Sequence, residues 1–269
     1  MRTSRRLLAV PAAVALLVAL TACAGASPEP GADVKDTPAA TAPAAETLEL
    51  TTANFVDTLV SAQKKAGSYD FTMTTTAAGQ TMTATGSMHA EGETPAIAMV
   101  MSTPEMGSDL EIRFVDGIMY MNLGELTANK FLQIDPTDAT NPLAAGMGDM
   151  TGSLDPTKSM RAQEAAIMAV TKTGEPEEVD GVMAQPYEVV MDTTKLAKEQ
   201  RAQFDAAAAA GLEIPSELRY RYWFDAENLM RKMVVDVMGS QTEMIFRNWG
   251  SGAAVEAPTA DQITTDSPF

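Results

Sequence analysis

Strict alternation of apolar and polar residues is the feature of this chain that most restricts its fold. Tyr69, Phe71 and Met73 alternate with polar residues, and the same period of two recurs from 110 to 121 around the pair Asp116-Gly117. A period of two places successive side chains on opposite faces of a strand, and Asp-Gly between alternating segments is a strong hairpin signal. The sequence therefore predicts a fold dominated by antiparallel β-sheet.

Further strands are predicted in the second half of the chain. Two of them flank Asp180-Gly181, and three more are expected over 218–224, 230–238 and 243–249. With those of the first half, they bring the expected total to about ten antiparallel strands with short turns. The tail after Gly250 is polar, and we expect it to end in extended chain.

Three helices are predicted between groups of strands, over 52–66, 155–169 and 192–210, each beginning at a typical capping residue. A sheet of this size must curl, and helices on its concave side would shelter an apolar space. The predicted fold class is α+β, a large curled antiparallel β-sheet (a half-barrel) with helices covering its concave face around a hydrophobic cavity. Two smaller domains divided near residue 150 are the alternative.

The N-terminus has the pattern of a bacterial secretory signal. Three arginines precede the uncharged stretch 7–20, which is shorter than the roughly 20 apolar residues of a transmembrane helix. Cys23 is the only cysteine, and Leu20-Thr21-Ala22-Cys23 resembles the lipobox in which a cysteine is acylated, for example with palmitate. We therefore expect residues 1–22 to be a signal peptide and Cys23 to be the lipid anchor.

The segment after this cysteine has the composition of a tether. Residues 23–46 contain four prolines, many alanines and no aromatic residue, so they cannot bury enough apolar surface to fold. Residues 47–269 are expected to form a single ligand-binding domain. The sequence thus predicts an exported protein that is held on the outer face of the cell membrane through its lipidated cysteine.

The charge of the chain restricts its partners. The formal net charge is −17 at pH 7, and removal of the three signal-peptide arginines changes it to −20 (−17 − 3). An acidic surface is repelled by nucleic-acid phosphates and by anionic lipid headgroups. We expect no nucleic-acid partner, and we expect membrane attachment to come from the covalent lipid.

The chain lacks the residue sets of common catalytic and metal sites. His89 is the only histidine, so a Ser–His–acid triad would depend on it, and a zinc site built around it would lack the usual ligands. Asp135, Asp138 and Asn141 do not have the spacing of an EF-hand loop. We expect His89 to be exposed or at a strand edge, and we expect no catalytic residue, metal or cofactor. An enzyme acting on envelope polymers is the weakest alternative.

The apolar positions of the strands are the candidate ligand site. Methionine suits a cavity that adapts to acyl chains, because its side chain is flexible and polarizable. Alternation alone does not show which face lines the cavity, since Met119 and Met121 point away from Tyr120, and the same residues could instead form solid core. The candidates are Phe71, Met73, Met99, Met101, Ile112, Phe114, Met119 and Met121.

A set of segments spans nearly the whole mature chain: the Cys23 motif, the capped helix leading into Ser68-Tyr69-Asp70-Phe71, residues 114–120, Tyr222-Trp223-Phe224-Asp225 and Asn248-Trp249-Gly250. Together they resemble the actinobacterial lipoproteins of the LppX/LprG type, which are related in fold to the carriers LolA and LolB. The resemblance implies a half-barrel whose helices roof a hydrophobic cavity, which in some members holds acylated glycolipids or complex lipids.

The predicted function is to bind an acylated lipid or glycolipid in this cavity, for transport or presentation at the cell envelope. An envelope transporter is an expected partner. The alternative is a structural or regulatory envelope lipoprotein that docks a protein partner. The chain departs from the group in being methionine-rich and strongly acidic, which leaves the ligand open.

Overall fold

The computed structural model describes residues 49–90, 94–102, 109–138, 144, 155–196 and 213–264, and the single residues 201, 204, 205, 208, 209 and 211. Contacts group the chain into two units, 1–44 and 45–269, and every described residue belongs to the second. Cys23 lies outside the described residues, as do the signal peptide and the tether, so all three stay predictions. No helix in the described part of the chain is long and apolar enough to cross a bilayer.

Thirteen strands are present in the described residues, in place of the ten or so expected. They are β1 (Ser68–Ala77), β2 (Gln80–His89), β3 (Ala96–Ser102), β4 (Leu110–Val115), β5 (Ile118–Asn122), β6 (Phe131–Ile134), β7 (Ile167–Lys172), β8 (Glu177–Val179), β9 (Val182–Asp192), β10 (Glu217–Phe224), β11 (Met230–Val237), β12 (Ser240–Arg247) and β13 (Ile263–Thr264).

All of these strands belong to one sheet. Their order is β13-β6-β5-β4-β3-β2-β1-β12-β11-β10-β9-β7, with β8 beside β9. Every pair is antiparallel except β13 with β6. Pairing of β1 with β12 joins the first part of the chain to the last, so the sheet contains strands from both sides of residue 150. Because β13 and β7 end the series, the sheet does not close, and the predicted α+β fold with a large open sheet is confirmed.

Tight turns set the register of the hairpins. Both predicted Asp-Gly turns are present, with φ of 52° and 81° at Asp116 and Gly117 and of 51° and 81° at Asp180 and Gly181. Two successive positive φ angles are typical of type I′ turns, whose twist matches that of the paired strands. Ala78 adopts the same conformation, with φ 51°, between β1 and β2. Alanine rarely does so, which is why the sequence does not reveal this hairpin.

The helix predicted over 52–66 is confirmed as α1 (Phe55–Ala66), with Asn54 as its N-cap residue and Lys64 and Lys65 in its last turn. The Asn54 side chain fixes the approach to the helix, because its Oδ1 accepts from Thr51 N at 2.7 Å while its Nδ2 donates to Glu49 O. The chain leaves α1 through Gly67, whose φ of 74° favours glycine.

The second predicted helix, 155–169, is correct at its start and wrong at its end. Helix α2 is Pro156–Gln163, and Asp155 caps it by accepting from the N–H groups of Thr157 and Lys158. A 3₁₀ turn then leads to Ile167, which is the first residue of β7 and pairs with Met191 of β9. Ile167 and Met168 were expected on the helix, but Ile167 and Ala169 pair with β9 at the sheet edge and the register shifts at Met168 between them.

The third predicted helix, 192–210, lies partly outside the described residues. Asp192 caps a 3₁₀ turn, Thr193–Lys195, by accepting from Thr194 N at 2.9 Å. Beyond it, residues 201, 204, 205, 208 and 209 are helical.

One face of the sheet carries the main core, and we call it the inner face. Phe71 of β1 stands opposite Phe246 of β12, and Tyr69 stands opposite Met88 of β2. Both helices pack on this face, where Phe55 of α1 contacts the rings of Tyr222 and Phe224 at 5.9 Å between centroids.

The opposite, outer face is crossed by residues 248–264, which we call the C-terminal strap; only its Trp249 ring packs on the inner-face rings of Tyr69 and Phe246. Gly250 N donates to Ser68 O at 2.8 Å, and Arg113 Nη1 donates to Glu256 O at 3.2 Å. Val255 and Ile263 pack against Val115, Tyr120 and Phe131 on the outer face, and the strap ends in β13. The tail after Gly250 is extended, as expected, but it packs on the outer face and forms strand β13 at its end.

Candidate functional site

A cavity of about 420 Å³ lies between the two helices and the inner face. This volume is within the range of roughly 300–1,000 Å³ that is usual for small-molecule sites. Its sheet wall comes from strands that are neighbours around β1 and β12. The residues from the sheet are Tyr69, Met88, Ile97, Ile167, Val189, Met191, Tyr220, Tyr222, Met230, Met233, Met244 and Phe246.

Strand register explains why these side chains converge. Met233 of β11 stands opposite Met244 of β12 and also opposite Tyr222 of β10. Directly opposed residues of antiparallel strands share a face, so one apolar row crosses β10, β11 and β12. On its other side, Tyr222 stands opposite Tyr187 of β9. The row therefore extends to β9, toward the edge of the sheet.

The helices form the other wall. From α1 come Phe55, Val56 and Gln63, and from α2 come Pro156, Ser159, Met160 and Gln163. An ion pair joins the helices, with Arg161 Nη1 3.0 Å from Asp57 Oδ1. Both side chains of this pair are at least half exposed, so it contributes less than about 1 kcal/mol. Burial of Phe55 and Val56 is therefore the main attachment of α1.

Aromatic rings support the floor of the cavity. Tyr220 and Tyr222 stack along β10 at 5.7 Å between centroids. Trp249 packs on Tyr69 at 4.5 Å, and its indole N–H donates to Met230 O at 2.9 Å. Such ring contacts restrict the orientation of Tyr69 and Tyr222, which gives the cavity a rigid aromatic side.

The cavity contains no charged group among the residues that line it. Burial raises the pKa of Tyr69 to about 12, and burial also raises the pKa of Tyr220. Burial, together with the neighbouring Tyr220, raises the pKa of Tyr222 as well. These phenols are neutral at physiological pH, so the site is a low-polarity volume with a few uncharged hydrogen-bonding groups.

Gln63 is the exceptional polar residue of the site. Its side chain lies on the cavity wall, the residue is only 7% exposed, and its Oε1 has no hydrogen-bond partner among the described residues. Buried acceptors are nearly always hydrogen-bonded in folded proteins. Gln163 differs, because its Nε2 donates to Ser159 Oγ at 3.3 Å.

Methionine is concentrated at this site. Six of the 19 methionines of the chain line the cavity: Met88, Met160, Met191, Met230, Met233 and Met244. Flexible thioether side chains change shape at little cost. The cavity therefore combines a rigid aromatic side with an adaptable methionine side.

The eight residues predicted from the sequence lie on the inner face, as the pairing of β1 to β5 shows. None of them is among the residues that line the cavity. Phe71 belongs to the main core and Met99 packs against it, whereas Phe114 and Met119 form a second core with Ile112 and Met121 beside it. Met73 and Met101 are half-buried on β1 and β3. Ligand contact by these eight stays a prediction.

The cavity residues that sequence reasoning missed follow the same alternation. Tyr69 is two residues before Phe71, and Ile97 is two before Met99. Tyr222 and Met233 are inner-face residues of the later strands β10 and β11. The signal was present in the sequence. What it could not show was which part of the inner face the helices cover.

The other polar candidates have structural partners. His89 ends β2, half-exposed, with Nε2 2.8 Å from Ala253 O of the C-terminal strap. Asp135 Oδ1 accepts from the N–H and hydroxyl of Thr137, and Asn141 lies outside the described residues. Within the described ranges, no group of three or more His, Cys, Asp or Glu side chains is placed to hold a metal ion.

A second cavity, of about 360 Å³, lies beside β9 and β10. Its lining mixes apolar residues with Glu49, Lys172 and Asp225, and Asp225 is already paired with Arg231 at 2.6 Å. This mixed lining makes it a weaker candidate for an apolar ligand.

Comparison with known proteins gives similarity at the level of structure. A scan against protein-family models and a search of curated proteins return no match. Lipoprotein LppX of Mycobacterium tuberculosis is 14% identical with a TM-score of 0.46, and LprF of Mycobacterium bovis is 11% identical with a TM-score of 0.47. Each match covers 76% of this chain and 97% of the other.

MucB is also similar, at 14% identity and a TM-score of 0.38, over 81% of this chain and 63% of its own. The structural neighbours thus include LppX and LprF, of the group that the sequence resembles. At these identities and TM-scores, the similarity assigns neither an activity nor a ligand to this chain.

Proposed function

We propose that this protein is a membrane-tethered lipoprotein that binds the acyl chain of a lipid or glycolipid in the inner-face cavity, for transport or presentation at the cell envelope. The observation that carries the proposal is the uncharged cavity of about 420 Å³ between the helices and the sheet. Its residues can bind and enclose an apolar chain. They include no nucleophile with an adjacent base, so the proposed role is binding and not catalysis.

The cost of exposing an acyl chain to water explains why a lipid carrier needs such a cavity. Each methylene exposed to water costs about 0.8 kcal/mol, so an acyl chain does not cross an aqueous gap unprotected at a useful rate. A cavity that is about as apolar as a bilayer makes transfer from membrane to protein nearly neutral. Loading and release then both remain accessible, as a carrier requires.

The N-terminal features complete the proposal. Acylation of Cys23 would hold the protein on the outer face of the cell membrane, and the 23 residues 24–46 would span roughly 25 Å as a coil. The folded unit would thus stay close to the lipid surface from which it loads. An envelope transporter that supplies or receives the ligand is the partner that this role requires.

The proposal is tested by blocking the cavity. The full-length chain is produced in a lipid-containing bacterial host, and native mass spectrometry with solvent extraction identifies what co-purifies. We expect a discrete adduct that extracts as an acylated lipid. Met233→Trp places a larger side chain in the cavity, and we expect this variant to lose the adduct.

Met168→Trp is the matched control, because Met168 is 51% exposed on β7 and does not line the cavity. The control should keep the adduct. Preparations that contain no lipid and take up none from added envelope lipids would contradict the proposal and favour a lipoprotein that docks a protein partner.

A further inference from the structure

The absence of charge from the lining restricts the head group. A carboxylate or phosphate drawn into the cavity would lose its hydration and find no cation among the described lining residues. Burial of an unpaired charge is strongly unfavourable. Arg161 does not offer compensation, because it is already paired with Asp57 between the helices. Any polar group that enters with the chain should therefore be neutral.

Gln63 supplies the contact that such a neutral group would make. Its Oε1 is buried without a partner among the described residues, whereas ligand sites commonly use a few placed polar groups in an apolar wall. The terminal amide can present either its oxygen or its NH₂ group after rotation. The phenols of Tyr69 and Tyr222 border the same cavity and can donate or accept.

We infer that the cavity binds the chain of an amphiphile with an uncharged hydroxyl- or amide-bearing head group, whose donor pairs with Gln63 Oε1. This inference rests on the proposed function, because it requires an acyl chain in the cavity. Monoacylglycerols and N-acyl amides have the required chemistry. Ionised fatty acids fail for lack of a counter-charge.

Binding is measured on residues 45–269, a compact unit that contains every core cluster named above. The probes are monopalmitoylglycerol, palmitate and methyl palmitate, each competing with a fluorescent acyl reporter at neutral pH. We expect monopalmitoylglycerol to bind at least about tenfold more tightly than palmitate. Equal binding of palmitate would overturn the uncharged head group.

The role of Gln63 is tested with Gln63→Leu and Gln63→Met, two apolar replacements of similar size. We expect each to weaken binding of monopalmitoylglycerol about five- to tenfold and to leave binding of methyl palmitate, which has no donor, within about twofold. Gln133→Leu is the control, since Gln133 is exposed on β6 opposite Tyr120 of the outer face. Unchanged affinity for monopalmitoylglycerol in both folded Gln63 variants would overturn the assigned contact.

The same measurements separate this inference from the proposed function. If methyl palmitate and monopalmitoylglycerol both bind, but without preference and without dependence on Gln63, the head-group inference is wrong and acyl binding stands. If no probe displaces the reporter and the reporter itself does not bind, acyl binding fails, and the inference fails with it. Thermal unfolding of each variant confirms that loss of binding is not loss of fold.

Discussion

Phe71 lies directly opposite Gly86 in the pairing of β1 with β2, and its ring occupies the space that a side chain at position 86 would need. A Cβ on Gly86 would lie 2.7 Å from Cζ of Phe71 and 2.9 Å from Cβ of Met99, and it would collide with the carbonyl oxygen of Ala98. Backbone of a central strand cannot move aside easily. Gly86 therefore allows the Phe71 ring to pack over β2.

The first prediction is that Gly86→Ala destabilises the protein. Overpacking of this kind costs about 1–3 kcal/mol, which we expect as a loss in the free energy of unfolding measured with urea. The neighbouring substitution Thr85→Ala is the control, because Thr85 is exposed on the outer face and should change stability by less than about 1 kcal/mol. Equal losses in the two variants would contradict the packing assigned to Phe71.

The second prediction concerns the turn between β10 and β11. Asp225 is only 6% exposed, its Oδ1 accepts from the N–H groups of Glu227 and Leu229, and its Oδ2 is 2.6 Å from Arg231 Nη2. Removing one partner of a buried pair leaves the other charge uncompensated. We therefore expect Asp225→Asn to lower the free energy of unfolding by about 3 kcal/mol.

Its control is Asp180→Asn, at an ion pair of the same length. Asp180 Oδ2 is 2.6 Å from Arg247 Nε, but both side chains are more than a third exposed. Water screens such a pair, so this variant should lose less than about 1 kcal/mol. A larger loss at position 180 than at position 225 would show that burial does not govern these two interactions.

The third prediction is a pH dependence that originates at Asp70. Partial burial raises the pKa of the Asp70 carboxyl, but hydrogen bonds from Asn248, Ser87 and Ala253 N and the nearby His89 outweigh this effect and hold the pKa below its usual value. The stabilisation is complete above the unfolded pKa of about 3.9 and is lost as pH falls through the lower folded value.

Asp70→Asn removes this titration. We expect the wild type to be more stable than the variant at pH 7 and the difference to vanish as the pH falls below the folded pKa, in urea unfolding repeated across the acidic range. Ser87 Oγ and Asn248 Nδ2 each donate to Asp70 at 2.7 Å, so the difference reports on the junction of β1, β2 and the C-terminal strap. A difference that stays constant across this range would show that the charge of Asp70 is not the cause.

The fourth prediction tests the lipid anchor. Cys23→Ser in the full-length chain should abolish incorporation of labelled palmitate and release the folded unit from the membrane fraction, because the sulfur that would carry lipid is gone. The two readouts are autoradiography or click detection of the label and fractionation of cells. Persistent membrane retention of the unlabelled variant would contradict the assignment of Cys23 as the anchor.

Short-range patterns account for what the sequence could predict. Alternation and the Asp-Gly turns predicted the hairpins at 116–117 and 180–181, and capping residues predicted the starts of α1 and α2. A strand was presumed at His89, where β2 ends, but its extent was not predicted, because its inner-face positions include Ala84 and Gly86, which lack large apolar side chains. The end of the second predicted helix was wrong because pairing of β7 with β9 is a long-range interaction.

The location of the site depends on long-range contacts of the same kind. Period two assigned the eight candidate residues to one face, and the register confirms that they share it. It could not show that α1 and α2 cover the part of that face formed by β1 and β9 to β12, with single residues of β2, β3 and β7, where the cavity lies. The docking of the C-terminal strap on the outer face was equally invisible, because it depends on hydrogen bonds to Ser68 and Arg113, far away in sequence.

The most direct test of acyl-chain binding is to locate the chain itself. A palmitoyl probe with a photoactivatable group near its terminal methyl is bound to the protein and irradiated, and labelled peptides are mapped by mass spectrometry. Binding in the cavity predicts label on α2 and on β10 to β12, at residues such as Met160, Tyr222, Met233 and Met244, and loss of this label in Met233→Trp. Label confined to outer-face residues, or none above that of a denatured control, would contradict it.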